Sequence, residues 1–184
     1  MNLKSHLKSR YLNIDLHRPI LDYNEKCATF ILYNMSGNLV GYHQYRPLCD
    51  KKCDNNPKNS RYYTYKKQPT IAVWGIESYY ISDGPIFITE GLFDAARLTN
   101  KNQTAFAVLC NKPSKDHYNW FKSLTRPIVV VCDNDSAGKK LSNFGDYVHH
   151  IQDFKDLGDA SDDYVNYLIS KYKMFNHGHF KNCP

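Results

Sequence analysis

Pro85-Ile86-Phe87-Ile88-Thr89-Glu90-Gly91-Leu92-Phe93-Asp94 opens the stretch that decides the fold, and Pro127-Ile128-Val129-Val130-Val131-Cys132-Asp133-Asn134-Asp135-Ser136-Ala137-Gly138-Lys139-Lys140 closes it. In each, a short apolar, β-branched run stops at a carboxylate, Glu90 in the first and Asp133 in the second. Runs of that length without alternation are expected of strands buried on both faces. Between them, Phe93 to Leu98 and Tyr118 to Leu124 carry helical spacing, and Thr104 to Leu109 supplies the middle buried strand. The order strand, helix, strand, helix, strand predicts a parallel α/β sheet. Functional side chains of such sheets gather just past the carboxyl ends of the strands, where Glu90 and Asp133 both fall.

Glu90, Asp133 and Asp135, brought to one rim, would repel one another and resist ionisation unless a cation stood between them. An all-oxygen set with no neighbouring His or Cys suits magnesium or manganese rather than zinc. Gly91 and Gly138 permit close backbone approach or tight entry into a helix. Lys139 and Lys140 add positive charge beside a site that would handle phosphates. A plainer reading has Asp133 and Asp135 as solvated turn residues and Glu90 as a carboxylate favoured by a helix N-terminus. Asp94 either supports Glu90 from one helix face or simply favours the first turn.

The pair Glu90-Gly91-Leu92-Phe93-Asp94 and Asp133-Asn134-Asp135-Ser136-Ala137-Gly138 resembles the Toprim signature, in the variant most similar to bacterial and phage-type DNA primases. The resemblance implies a Toprim-type parallel sheet flanked by helices, preceded by a small mixed β-rich subdomain. It implies that Glu90, Asp133 and Asp135 are catalytic and hold the magnesium or manganese ion of phosphodiester chemistry. Lys155-Asp156 looks like the family's third acidic motif, which adds Asp156 as a metal ligand. Gly158 stands where many members carry another acid, and Asp159 is the neighbouring candidate. Either Asp159 or Ser161 would otherwise cap a closing helix, Asp162 to Lys171.

Composition sets the outer bounds. A chain of 184 residues holds one core with a small appendage, here residues 1–84 as a basic, aromatic β-containing subdomain and 85–184 as the parallel-sheet domain with a helical C-terminal segment. The balance of 24 Lys and Arg against 18 Asp and Glu gives +6, which suits a polyanionic partner, and 15 tyrosines provide rings for stacking on bases. No apolar run approaches the length of a membrane span and no signal peptide opens the chain, so the expectation is a cytoplasmic protein with no membrane partner. The six cysteines lack a paired framework and are expected as reduced thiols. Cys49 and Cys53 offer half of a zinc knuckle that only His43 or the distant His177, His179 and Cys183 could complete, so zinc is not expected.

In the N-terminal half, Leu3, Leu7, Tyr11 and Ile14 have the spacing of a short amphipathic helix, either packed on the main domain or docking a partner. Thr29 to Tyr33 and Leu39 to Tyr45 flank a hairpin signal around Gly37. A polar loop then leads to Arg61-Tyr62-Tyr63-Thr64-Tyr65-Lys66-Lys67, where Tyr63 and Tyr65 alternate on what reads as one stacking face. Arg46, Arg61, Lys66 and Lys67, with Lys112 beyond the third run and Lys139 and Lys140, are the candidate contacts to nucleic acid or nucleotide. Trp74-Gly75-Ile76-Glu77 reads as a turn and short element between subdomains, Ser136 to Phe144 as a helix, and His149 and His150 as surface or packing residues.

The function expected from the resemblance is synthesis of short RNA primers on single-stranded DNA from ribonucleoside triphosphates. A separate helicase or template-reading protein is the implied partner, because neither a zinc module nor a Gly-x4-Gly-Lys-Ser/Thr loop is visible. The alternatives are a metal-dependent nuclease using the same site, and a non-catalytic nucleic-acid-binding partner in replication.

Overall fold

The structure is a computed structural model that describes residues 1–34, 36–67, 71–110, 113–133 and 138–173, with backbone alone at 138 and 139. Helix α1 (Leu3–Ser9) begins where the Asn2 side chain accepts the Ser5 amide, and it buries Leu3 and Leu7. The helical spacing does not run on as one helix. Tyr11 has a φ of +60°, which breaks the rod, and a separate turn α2 (Ile14–His17) starts on Asn13. Both turns lie against the body of the protein, and Leu12 is buried between them.

Strands β1 (Ile20–Asp22), β2 (Cys27–Tyr33), β3 (Leu39–Tyr45) and β4 (Tyr62–Lys66) form an antiparallel sheet in sequence order. The β2–β3 turn closes on Asn34, whose side chain accepts the amides of Ser36 and Asn38, and on Gly37 at φ +75°. Alternation along β2 and β3 divides the sheet. Ala28, Phe30, Leu32, His43 and Tyr45 are buried on one face, while Thr29, Ile31, Tyr42 and Gln44 lie half-buried on the other.

Strands β5 (Ile86–Thr89), β6 (Ala105–Ala107), β7 (Ile128–Cys132) and β8 (Tyr147–His150) form the expected parallel sheet in the order β6-β5-β7-β8. Helices α3 (Leu92–Thr99), α4 (Lys115–Ser123), α5 (Gly138–Leu141) and α6 (Asp162–Lys173) connect and flank it. Every residue of β5, β6 and β7 is buried, as unbroken apolar runs require. Phe87, Val129 and Val131 face the core shared with α1, α3, α6 and the antiparallel sheet, while Ile86, Ile88, Val130 and Cys132 face Trp120, Phe121 and Leu141.

Two expectations change. The run through Ala105, middle in sequence, is the edge of its sheet, and Trp74 covers that edge by exchanging both backbone hydrogen bonds with Ala107. Ser136 to Phe144 does not form one α-helix over its described residues: α5 spans one turn and Ser142–Phe144 continues as 3-10. The segment holding His149 is a strand, with His149 buried at 2.9 Å from the Tyr164 hydroxyl and His150 exposed.

Trp74-Gly75 does join the two sheets. Val73 bridges Tyr33 of β2 and Trp74 bridges Ala107 of β6, so consecutive residues serve both sheets. Gly75 has a φ of +89°, and a Cβ there would stand 2.6 Å from the Ala105 carbonyl oxygen. Glu77 Oε1 lies 2.5 Å from His17 Nδ1, and His17 Nε2 is 2.9 Å from Thr99 Oγ1, which ties α2 to this segment and to α3. Arg97 of α3 reaches Ala160 O at 2.9 Å and Asp162 Oδ1 at 2.7 Å beneath the Tyr11 ring, fastening α6 to the N-terminal turns.

Candidate active site

A cleft of about 340 Å³ opens between the antiparallel sheet and the carboxyl edge of the parallel sheet. Its floor comes from the β5–α3 turn: Glu90, Gly91, Leu92, Phe93 and Asp94. The turn is fixed from both sides. Thr89 Oγ1 donates to Gly91 O at 2.9 Å, and the Leu109 amide donates to Glu90 O at 3.0 Å. Leu109 also lines the cleft and holds a φ of +53°, a conformation costly for a leucine, which marks this rim as constrained by its surroundings.

Glu90 and Asp133 leave neighbouring strands at the same rim. Ile88 is paired with Val130 in the β5–β7 ladder, so Glu90 lies level with Cys132, one residue before Asp133. Asp94 sits inward of both. It is 9 % exposed, its Oδ1 accepts the Gly158 amide at 2.9 Å, and its other carboxylate oxygen leaves no room for a Cβ at Gly91. Burial raises its pKa to about 8, with further upward pressure from the Asp133 and Asp156 carboxylates, opposed by the Gly158 amide and Arg10. That coupling puts Asp94, Asp133 and Asp156 in one electrostatic cluster, with Asp94 both in the first turn of α3 and buried.

Asp156 lines the cleft, and its Oδ1 accepts the Asp159 amide at 3.0 Å. Asp159 is exposed, while Ser161 caps α6 by accepting the Tyr164 amide at 3.2 Å. Between them Gly158 presents its amide to Asp94, and a Cβ at that position would stand 3.4 Å from Arg10 Nη2.

Arg10, His43, Tyr62 and Thr64 complete the cleft from the N-terminal half, and sequence reasoning missed all four as site residues. Arg10 follows the last turn of α1 and lies over the Phe93 ring, 4.6 Å from its centroid. His43 Nδ1 is 2.7 Å from Thr64 Oγ1, and burial lowers its pKa to about 4, so it faces the cleft neutral. Tyr62 stacks on Tyr45 with centroids 5.2 Å apart. The signal available was parity along β4: residues 62 and 64 share a face opposite to 63 and 65.

The expected basic contacts are spread more widely. Arg61 donates to Cys49 O at 2.9 Å and acts on the Tyr45 and Tyr62 hydroxyls, beside the cleft. Lys66 acts on His117 at the start of α4. Arg46 contacts Gln44 on the opposite face of the sheet, and Lys67 and Lys140 are exposed. Asp135 and Lys112 lie outside the described residues, as do the side chain of Lys139 and the tail bearing His177, His179 and Cys183. Cys49 and Cys53 are free thiols.

Among the described residues no group of three carboxylate, His or Cys side chains meets the geometry of a metal centre. The donor chemistry nevertheless suits a hard divalent cation, because the groups that act on one another here are all carboxylates: burial first, then Asp133 and Asp156, raise the pKa of Asp94. No helix among the described residues is long and apolar enough to cross a membrane.

This arrangement, a four-stranded parallel sheet flanked by helices with an antiparallel sheet beside it, is the fold of primase catalytic cores. The Aquifex aeolicus primase (zinc-binding and RNA polymerase domains) superposes with a TM-score of 0.60 over 92 % of this chain and 52 % of its own, at 16 % identity. The primase fragment of the bacteriophage T7 primase-helicase gives 0.58 over 86 % and 68 % at 14 %, and the DnaG catalytic core 0.54 over 86 % and 54 % at 16 %. The chain thus spans about half to two thirds of the length of these structures. No protein-family model and no curated protein sequence matches it.

Proposed function

We propose that the chain is a Toprim-type primase core, a nucleotidyltransferase that makes short RNA primers on single-stranded DNA. The observation that carries this reading is that Glu90, Asp94 and Asp156 line one cleft, with Asp133 acting electrostatically on Asp94, beneath a neutral histidine, a tyrosine and an arginine supplied by the preceding sheet and helix. In this reading residues 85–184 carry the acidic site, and residues 1–84 carry the surface that meets template and nucleotide.

Glu90, Asp133 and Asp135 would hold magnesium or manganese, with Asp156 on the flank toward Gly158. The bound ion would lower the pKa of the attacking hydroxyl and offset charge on the phosphoryl group being transferred. Asp94, anchored by the Gly158 amide, positions the β5–α3 turn that presents Glu90. Arg10 places a guanidinium on the same cleft, suited to phosphate oxygens. Tyr62 offers a ring at the mouth, and His43, with its charge suppressed, supports the cleft without repelling Arg10. Single-stranded DNA, ribonucleoside triphosphates and a separate helicase follow as partners, in a cytoplasmic replication role. One solved neighbour is the DnaG primase catalytic domain bound to single-stranded DNA, and another places T7 primase domains on an RNA/DNA hybrid.

A second reading, retention of the fold for binding without catalysis, draws on Gly158. Its amide occupies Asp94 at a point where the resemblance leads one to expect an additional acid. One incubation separates the readings. With unlabelled single-stranded template, labelled ribonucleotides and magnesium or manganese, the primase yields short labelled RNA; with end-labelled template a nuclease shortens the strand, and a binding module does neither. Glu90→Gln and Asp133→Asn are expected to cut synthesis by roughly 100-fold or more while the circular dichroism spectrum is unchanged. Full synthesis by either variant removes that residue from the mechanism.

A further inference from the structure

The antiparallel sheet has a face that the cleft does not use. In the β2–β3–β4 ladder Ile31 pairs with Tyr42 and Tyr42 with Tyr65, and on the next rung of the same face Thr29 pairs with Gln44 and Gln44 with Tyr63. This face is turned away from the cleft, because the alternate residues Phe30, His43, Tyr45 and Tyr62 are the ones directed to the core and the acidic site. The face is open toward Tyr65, which is 50 % exposed; Tyr42, Tyr63, Thr29, Ile31 and Gln44 are half-buried, and the far end is closed over Cys27.

Its side chains have the order that unpaired bases require. The Tyr42 ring lies 6.2 Å from Tyr63 and 5.4 Å from Tyr65, so three rings form a continuous strip across two strands. Arg46 closes one end of the strip, donating from Nη2 to Gln44 Oε1 at 3.1 Å with Nη1 buried. Lys67, exposed, continues the other end along the line of Tyr63 and Tyr65. Among the described strand residues, Asp22 of β1 lies on this side, paired with Cys27, and its Oδ1 accepts the amides of Asn24 and Glu25. An open strip of adjoining rings beside an exposed cation matches single-stranded nucleic acid better than a protein partner, whose docking face would be expected to be more aliphatic at its centre.

We propose that this outer face is a second binding surface for single-stranded nucleic acid, distinct from the acidic cleft, with Tyr42, Tyr63 and Tyr65 stacking bases and Lys67 meeting phosphates. It stands whether or not the cleft synthesises primers. A strand held there would be tethered to the same sheet whose opposite face presents Tyr62 and His43 to the cleft, so the sheet would grip nucleic acid on both sides.

The test is fluorescence anisotropy with labelled oligothymidine and oligouridine, without nucleotides or divalent ions, on the full chain. Tyr63→Ser/Tyr65→Ser is expected to weaken binding roughly 20-fold or more, with the melting temperature within a few degrees of the parent. Tyr63→Phe/Tyr65→Phe is expected to retain it, because the ring and not the hydroxyl does the stacking. Glu90→Gln/Asp133→Asn, which disables the cleft, is expected to bind as the parent does. Loss confined to DNA or to RNA assigns the face to that polymer. Unchanged affinity in the serine variant overturns the proposal, as does equal loss in the phenylalanine variant. Binding that disappears in Arg10→Met but not in the serine variant would place the strand in the cleft alone and overturn it too.

Discussion

At the residue scale, burial decides what each titratable group of the cleft can do. His43 would titrate near 6.5 in an unfolded chain, and burial holds it at about 4 in the folded protein. Its folded pKa is depressed, so between those values the unfolded state takes up a proton that the native state refuses. Stability from this group is therefore intact above about pH 6.5 and is lost as pH falls toward about 4, by roughly 3 kcal/mol at most. Urea unfolding followed across that window is expected to give a shallower decline in His43→Gln than in the parent. An identical slope would assign the acid sensitivity to other groups. The same burial explains why a neutral imidazole can sit 2.7 Å from Thr64 on a cleft that also holds Arg10.

At the element scale, the segment around Trp74 controls how the two sheets meet. Trp74 stops the parallel sheet from ending in an open edge at β6, and Gly75 immediately turns the chain at a positive φ against the Ala105 carbonyl. Gly75→Ala is expected to cost roughly 2–4 kcal/mol through left-handed strain and the contact with that backbone oxygen. In a chain of this size that corresponds to a melting temperature lower by about 5–15 °C. Gly37→Ala, at φ +75° with no atom within 4 Å of the added carbon, is the control; it should cost only the strain, about 1 kcal/mol. Equal losses at the two sites would mean that the close approach to Ala105 contributes nothing.

At the scale of the whole molecule, one cluster of charge is assembled from parts distant in sequence: Asp94 on α3, Asp133 after β7, Asp156 before α6 and Arg10 after α1. Asp94 is raised to about 8, so between about pH 4 and 8 the native state keeps a proton the unfolded chain has released. This group's cost to stability grows as pH rises through that window. In the absence of divalent ions, Asp94→Asn is expected to be more stable than the parent near pH 8 by about 1–3 kcal/mol, with the difference vanishing near pH 4. Manganese should relieve the repulsion among Asp94, Asp133 and Asp156, which adds to the effect of burial on Asp94. At about 100 times its Kd it would add roughly 2.7 kcal/mol to the parent, and much less to Asp133→Asn, as read by thermal melting. A parent whose melting temperature is insensitive to manganese would leave the acids without a metal to hold.

The sequence by itself determined the parallel sheet and the position of its acidic rim. Unbroken runs such as Ile86–Thr89 and Ile128–Cys132 can be satisfied only by burial on both faces, and a run that ends at Glu90 or Asp133 ends where burial ends. The hairpin at Gly37 was legible for the same local reason, a turn residue between two β-rich runs. Short strands were not: Ile20–Asp22 and Tyr147–His150 are too brief to display a period, and pairing with β2 and β7 makes them strands. Only tertiary structure decided that β6 is an edge, that Ser161 rather than Asp159 caps α6, and that Tyr62 rather than Tyr63 and Tyr65 meets the cleft. It also brought Arg10, His43 and Thr64 to the acids. A local pattern records which side chains want burial, whereas the register between strands and the docking of one sheet over another are set by contacts between residues that lie far apart in the chain.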